Sequence, residues 1–231
     1  MGLGWVKGVK KSGMAQCGEV RGLENLAGLT GGAIVTCNHI NQVDSFVLLW
    51  GLQKHFRDLK NNRLFKVVRE GNYNQPAFLG FIMRNCDTLP VNEESSRNLR
   101  VTAKTMEAIK VLLPRGKKIL IYPEQAMWWN YRKPRPLKNG AYAIAAKNNA
   151  PIIPCFITMR DTDKVADGFP VQEFTLNIAP VIYPDPNLTV KENTEKMRDK
   201  NAVAWREIYE KTYGVKLEYL TARTEKKGTA K

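Results

Sequence analysis

The chain has 231 residues, of which 43% are hydrophobic, so it is long enough for one sizeable domain with a buried core. Its 36 Lys and Arg outnumber its 22 Asp and Glu, and the net charge of +14 predicts an anionic partner, either nucleic acid or an anionic membrane surface. A generic solvated basic surface explains part of this excess. No zinc-finger spacing, ribonucleoprotein signature or recognition-helix motif supports nucleic acid. No apolar run approaches the length of a bilayer span, which predicts a chain that lies on a membrane or in solution.

Strand-like and helix-like segments alternate along the whole chain. Strands are predicted at 19–22 (a sheet edge), 33–37, 64–68, 87–91, 118–122, 151–157 and 174–178. Helices are predicted from Ser45, from a cap at Ser95 or Ser96 with the apolar stripe Leu99, Met106, Ile109 and Leu113, over 137–147, and over 190–213. This order predicts a single α/β domain at 19–220, with a largely parallel or mixed central sheet flanked by helices. A basic segment at 1–18 precedes the domain, and a flexible tail at 221–231 follows it.

A histidine and an aspartate follow the second predicted strand, in the segment 38–44 (NHINQVD). α/β folds place their chemistry at the carboxyl ends of strands, and a strand-to-helix turn can fold Asp44 back onto His39. The carboxylate would then fix one tautomer of the imidazole and stabilise the imidazolium that forms when the other nitrogen accepts a proton. In the alternative interpretation, Asp44 is only the N-cap of the following helix and His39 an ordinary turn residue.

Two further landmarks stand in order along the chain: Tyr122-Pro123-Glu124 at the end of the fifth predicted strand, and the segment 150–154 (APIIP). Together with the His/Asp turn they resemble the glycerolipid acyltransferase family, typified by 1-acylglycerol-3-phosphate acyltransferases, over residues 19 to 182. In that family a His-x4-Asp motif is followed by a substrate-binding arginine region, a Phe-Pro-Glu-Gly block and a Val-Pro-Ile-Val-Pro strand. The resemblance implies a glycerol-3-phosphate acyltransferase-like fold.

The resemblance also implies an activity and its residues. A fatty acyl group would move from acyl-coenzyme A or acyl carrier protein to the hydroxyl of a lysophospholipid, most simply 1-acylglycerol-3-phosphate, giving phosphatidic acid. His39 would be the general base, Asp44 its orienting partner, and Glu124 would help to bind the glycerol moiety. The acyl thioester is a co-substrate, and no tightly bound cofactor is implied. We expect no metal site, because His39 and His55 lack a paired carboxylate or cysteine spacing.

The chain departs from the family pattern at two places where an arginine is usual. Gln125-Ala126-Met127 stand where the family has Gly-Thr-Arg, and Val91-Asn92 stand where the other arginine is found. Another set of cations must then hold an acceptor phosphate, and the candidates are Arg97, Arg100, Arg132, Lys133, Arg135 and Lys138. Each of them could equally be an ordinary solvated charge.

Residues 128–133 (WWNYRK) interleave aromatic and cationic side chains, which suits the headgroup region of a bilayer, although a packed core loop is the competing interpretation. Three further cations could extend this basic face: Lys54, Arg57 and Lys60.

The first residues match neither a myristoylation site nor a secretory signal. The four cysteines lack metal-type spacing, and Cys37 and Cys155 lie in strand-like runs, which favours a reduced setting. We therefore expect a cytoplasmic protein held peripherally at the inner face of the cell membrane.

The expected partners are thus the lysophospholipid, the acyl thioester, an anionic membrane surface and, as a further candidate, acyl carrier protein. Two other functions stay open from the residues alone. A catalytically silent lipid-binding or scaffold protein of the same fold would bind liposomes without His39 and transfer no acyl group. A nucleic-acid-binding protein would show steeply salt-dependent binding. The combination of His39, Asp44 and Glu124 favours the enzyme over both, and we expect no nucleic-acid partner.

Overall fold

The strands form one sheet in this computed structural model, which describes residues 15–41, 44–52, 64–92, 99–128, 131–166 and 168–219. Over those ranges there are seven strands: β1 (Ala15–Arg21), β2 (Ala33–Thr36), β3 (Leu64–Arg69), β4 (Thr88–Val91), β5 (Lys118–Ile121), β6 (Ile152–Ala166) and β7 (Phe169–Ile178). Their spatial order is β1-β7-β6-β2-β5-β3-β4. Neighbouring strands from β6 to β4 are parallel, whereas β7 runs antiparallel to β6 and β1 runs parallel to β7. The predicted largely parallel, mixed sheet is confirmed.

Six helices are present in the described residues: α1 (Asp44–Leu52), α2 (Glu70–Tyr73), α3 (Ala77–Asn85), α4 (Arg100–Leu112), α5 (Gly140–Lys147) and α6 (Val190–Tyr213), with a short 3-10 helix at Leu23–Leu26. The bounds of α6 are those predicted, because Thr189 and Glu192 form a capping box at its start and Gly214 ends it with a φ of 68°. None of these helices is both long and apolar enough to cross a membrane.

The predicted apolar stripe of α4 is correct in its second half only. Ile109 and Leu113 are buried and Met106 packs against the same cluster, but Leu99 is 63% exposed. Leu99 occupies the N-cap position ahead of the helix, so its side chain does not share the apolar face. The proposed caps Ser95 and Ser96 lie outside the described residues. The same holds for residues 1–14 and 220–231, so the proposed domain boundaries stay predictions.

Helices cover both faces of the sheet. Ile34 of β2 packs with Ile109 of α4 and Met197 of α6, whereas the next residue, Val35, packs on the opposite face with Leu48 of α1. All four residues of β2 are fully buried, as expected for a central parallel strand. The carboxyl ends of β2, β5, β3 and β6 therefore open at one edge of a sheet whose faces are closed.

Candidate active site

His39 lies just beyond β2, in a turn that is tied to the neighbouring strand β6. The side-chain amide of Asn38 donates to the carbonyl of Ile157 at 2.9 Å, and its oxygen accepts from the amide of Ile157 at 2.7 Å. Asn38 is 1% exposed, so both hydrogen bonds are shielded from water. The backbone entering His39 is thus fixed to the centre of the sheet.

Asp44 folds back onto His39, as the spacing predicts. Nδ1 of the imidazole lies 2.8 Å from a carboxylate oxygen of Asp44, which also accepts the amides of Ile40 at 2.8 Å and Asn41 at 3.2 Å. Asp44 is the first residue of α1, yet the hydrogen bonds described for it come from residues ahead of the helix. Burial raises the pKa of Asp44, while the hydrogen bonds from His39 and the two amides act in the opposite direction. The carboxylate fixes the Nδ1–H tautomer.

The ring of Tyr122 covers one face of the imidazole. The two ring centroids are 4.1 Å apart and the planes differ by 17°. The His39 side chain keeps 28% of its surface exposed, and since Nδ1 faces Asp44, Nε2 is the nitrogen left to meet a substrate. Desolvation raises the pKa of Tyr122 well above its ordinary value, so the phenol is neutral. Tyr122 belongs to a motif that is visible in the sequence, but its role beside His39 could be seen only in the structure.

Glu124 joins the His39 turn to the segment that follows β5. One carboxylate oxygen accepts the backbone amide of His39 at 2.8 Å, and the other accepts the backbone amide of Arg135 at 2.6 Å. The amide of Trp128 donates to the carbonyl of His39 at 2.9 Å and closes the same junction. Burial raises the pKa of Glu124 to about 7, against the effect of the two amide hydrogen bonds. These contacts position the turn, and the glycerol-binding role of Glu124 stays a prediction.

Two of the predicted anion-binding cations contact other parts of the chain. Arg132 pairs with Asp161 of β6 at 3.1 Å and lies 5.6 Å from the ring centre of Tyr213. Lys133 lies 5.5 Å from the ring centre of Tyr219. Arg132 thus joins its segment to β6 and α6, and Lys133 joins it to the chain that follows α6.

Arg135 contacts Glu124 directly, unlike the other predicted cations whose contacts the structure describes. Its guanidinium stands over the ring of Trp128 at 4.7 Å, and its backbone amide binds Glu124. Lys138 is exposed, and its amide donates to the carbonyl of Pro123. Arg100 is exposed at the start of α4, and Arg97 lies outside the described residues.

Arg69, at the end of β3, is a site residue that sequence analysis missed. Its guanidinium donates to the carbonyl of Gln125 at 2.9 Å, directly beside Glu124. Gln125 has a φ of 58°, the left-handed conformation that glycine favours, so the departure from the family glycine leaves the backbone shape in place. The position of Arg69 at the carboxyl end of a parallel strand was a signal for a site residue. Its contact with Gln125, however, depends on the strand order.

Asn92 takes over a structural task where the family has an arginine. Its oxygen accepts the backbone amide of Thr102 at 3.1 Å, and its side-chain NH2 donates to Glu70 at 2.8 Å. Asn92 therefore ties the end of β4 to the first turn of α4. Asn92 therefore acts as a helix anchor at the position where the family has an arginine.

In the segment 128–133, Trp128 is half-buried and meets the exposed Tyr131 edge to face, with centroids 4.5 Å apart. Trp129 and Asn130 lie outside the described residues, as do His55 and three cations proposed for the same face: Lys54, Arg57 and Lys60. Within the described part of the chain, no three His, Cys, Asp or Glu side chains converge as a metal site would require.

The structure is an α/β fold with a partly exposed histidine and a buried aspartate paired at the carboxyl edge of its sheet, and comparison with known proteins shows the family. The sequence model of the family described as Acyltransferase matches residues 18–158, more than half of the chain. The chain belongs to this acyltransferase family, and its resemblance to glycerolipid acyltransferases of the 1-acylglycerol-3-phosphate type is confirmed.

Two relatives are similar to it. The 1-acyl-sn-glycerol-3-phosphate acyltransferase BAT2, chloroplastic, of Brassica napus is 25% identical over 148 residues, which are 64% of this chain and 38% of that protein. The chain thus spans well under half the length of this curated relative. The crystal structure of the 1-acyl-sn-glycerophosphate (LPA) acyltransferase PlsC from Thermotoga maritima matches with a TM-score of 0.58, over 94% of this chain and 81% of that chain, at 18% identity. This second similarity establishes the common fold.

Proposed function

We propose that this protein transfers a fatty acyl group from an acyl thioester to the hydroxyl of 1-acylglycerol-3-phosphate, giving phosphatidic acid. The observation that carries the proposal is the 2.8 Å contact between His39 and Asp44 at the carboxyl edge of the sheet, with the imidazole partly exposed. The names of the two similar proteins support a lysophosphatidate acceptor. Acyl-coenzyme A and acyl carrier protein are the two candidate donors.

In the proposed reaction, Nε2 of His39 accepts the proton of the acceptor hydroxyl while the hydroxyl oxygen bonds to the thioester carbonyl carbon. The carbon–sulfur bond then breaks, and the departing thiolate takes the proton back from the imidazolium, so that charge and protons balance. Asp44 stabilises the imidazolium between these steps. A general base of this kind contributes about 10²- to 10⁴-fold to the rate. No acyl-enzyme intermediate is needed.

The phosphate of the acceptor would be bound by Arg69 and Arg135. Arg69 contacts the carbonyl of Gln125 through its guanidinium, whereas Arg135 contacts the carboxylate of Glu124 through its backbone amide and holds its guanidinium over Trp128. A guanidinium offers five N–H donors, so the contact with Gln125 leaves Arg69 further donors for a phosphate. Arg135 belongs to the set of cations that the sequence suggests, Arg69 does not, and the other members of that set stay predictions.

The proposed place of action is the inner face of the cell membrane, where the protein would be held peripherally from the cytoplasm. The net charge of +14 supports attraction to an anionic leaflet, since each cation near such a surface contributes about 1 kcal/mol. The exposed Tyr131 beside Trp128 and Lys133 supports contact with the headgroup region.

The test is acyl transfer by the full chain, measured with radiolabelled acyl-coenzyme A or acyl carrier protein and lysophosphatidate, with other lysolipids in parallel. We expect His39→Ala to lose at least about a hundredfold in rate and Asp44→Asn to lose a comparable factor. The matched controls are His55→Ala, which removes the other histidine, and Asp199→Asn, an exposed carboxylate on α6. Undiminished transfer by His39→Ala would refute the mechanism. Liposome binding without transfer to any acceptor would favour the silent lipid-binding alternative.

A further inference from the structure

β6 and β7 continue as a hairpin past the edge of the sheet at which His39 lies. Pro154 of β6 pairs with Thr36, the last residue of β2, but β6 runs on to Ala166. At about 3.3 Å per residue, the strand beyond Pro154 has a contour length of about 40 Å. Because β6 is parallel to β2, this extension leaves the sheet at its active-site edge.

The tip of this hairpin exposes apolar side chains on both of its faces. Phe169 is 74% exposed and Val165 is 67% exposed, the two largest values for large apolar side chains among the described residues. Val165 pairs with Pro170, and Ala166 pairs with Phe169. Paired residues share a face and successive residues alternate, so each face of the tip presents one apolar pair.

We propose that this tip, formed by Val165, Ala166, Phe169 and Pro170, inserts into the interfacial region of a lipid bilayer. A protein partner docked on one face of a two-stranded ribbon would leave the apolar pair on the other face in water. A bilayer surrounds the ribbon and removes both pairs from water at once. The inference rests on the proposed function in one respect, since the lysophospholipid acceptor of that function partitions into the bilayer.

Charged side chains limit the depth of insertion: Lys164 directly precedes Val165, and Asp167 lies in the sequence between Ala166 and Gly168. Arg160 pairs with Glu173 at 2.7 Å across the hairpin, and Asp161 pairs with Arg132 at 3.1 Å. Charged groups are costly in the hydrocarbon region, so these pairs stay at or above the headgroups. Through Arg132, the base of the hairpin is joined to the segment that carries Tyr131 and Lys133. The apolar tip and the aromatic–cationic segment therefore act on one membrane surface.

The first test measures binding of the full chain to sucrose-loaded vesicles of equimolar phosphatidylcholine and phosphatidylglycerol. We expect the double variant V165S/F169S to need about tenfold more lipid for half-maximal sedimentation, at low and at high salt. The matched control V111S/V203S removes two exposed apolar side chains from α4 and α6 and should bind as the natural chain does. Equal binding by both double variants would overturn the proposal, because attraction to the vesicles would then be purely electrostatic.

A second measurement locates the tip directly and does not depend on activity. Phe169→Trp should gain a tryptophan signal that is quenched by lipids brominated on their acyl chains, whereas Val111→Trp, at the far end of the sheet, should show no added quenching. Absence of added quenching in Phe169→Trp also refutes insertion.

A third measurement compares rates of acyl transfer. V165S/F169S should match the natural rate on a water-soluble short-chain lysophosphatidate, and its rate should fall only on the vesicle-bound acceptor. Failure of the natural chain to transfer to either acceptor would instead refute the proposed function.

Discussion

The imidazole of His39 lies flat against the ring of Tyr122, with centroids 4.1 Å apart and planes 17° apart. Asp44 contacts the edge of the imidazole at Nδ1, and Tyr122 covers one face of the ring. Two contacts of different direction thus fix where Nε2 points. Catalysis by a general base needs such fixed geometry, because small displacements of the base cost large factors in rate.

Tyr122→Leu should therefore lower kcat about tenfold with little change in KM for the acceptor, because the aliphatic side chain leaves the imidazole free to rotate. Tyr122→Phe keeps the stacked ring and should retain most of the activity. Steady-state kinetics of both variants test this prediction, and thermal unfolding checks that each variant folds. A Tyr122→Leu enzyme with the natural kcat would show that Asp44 alone positions the base.

The order of elements around His39 could be predicted because local signals agree. An apolar strand, a short turn and an apolar helix follow one another, and the long helix α6 carries its own capping box at Thr189. The contact of Tyr122 with His39 and that of Arg69 with Gln125 could not be predicted in this way. Both depend on the strand order β2-β5-β3, which brings together residues far apart in sequence.

The length of β6 escaped prediction for a different reason. Beyond Met159 the strand is exposed on both faces, so polar residues do not alternate with buried apolar ones and no period-two pattern marks the strand. The short helices α2 and α3 were missed as well. Neither has a side-chain cap at its start: Arg69 and Pro76 occupy the N-cap positions without a capping hydrogen bond.

The buried carboxyl of Glu124 should make stability depend on pH. Burial raises its pKa from an ordinary value of 4.5 to about 7 in the folded protein. Between these pH values the folded state binds more protons than the unfolded state, so the contribution of Glu124 is fully present below about pH 4.5 and is lost as the pH rises through 7. A pKa shift of this size corresponds to a loss of unfolding free energy on the order of 3 kcal/mol.

Glu124→Gln removes this titration, so its free energy of unfolding should fall less between pH 4.5 and 7 than that of the natural chain. Urea unfolding at a series of pH values measures both slopes. Glu195→Gln, which changes an exposed carboxyl on α6, should leave the natural slope unchanged. Identical slopes in all three proteins would mean that Glu124 stays ionised throughout this range.

The backbone at Gln125 should favour glycine. With a φ of 58°, any side chain with a Cβ is strained there, by about 1–2 kcal/mol. Gln125→Gly should therefore be more stable than Gln125→Ala by about 1 kcal/mol in urea unfolding, the reverse of the usual order. The same pair of substitutions at Lys200, an exposed position on α6, should show the usual order, with alanine more stable. A more stable alanine at position 125 would contradict the left-handed conformation.

Arg69 offers the sharpest test of the proposed acceptor. If its guanidinium binds the phosphate, Arg69→Gln should raise KM for lysophosphatidate about tenfold or more, since a hydrogen bond to a charged group contributes about 1.5–3 kcal/mol. Transfer to a monoacylglycerol, which lacks the phosphate, should be unchanged. Arg115→Gln, which removes an exposed cation before β5 at the opposite end of the sheet, should affect neither acceptor. An equal loss on both acceptors in Arg69→Gln would mean that Arg69 acts only through the carbonyl of Gln125, as a support for the backbone beside Glu124.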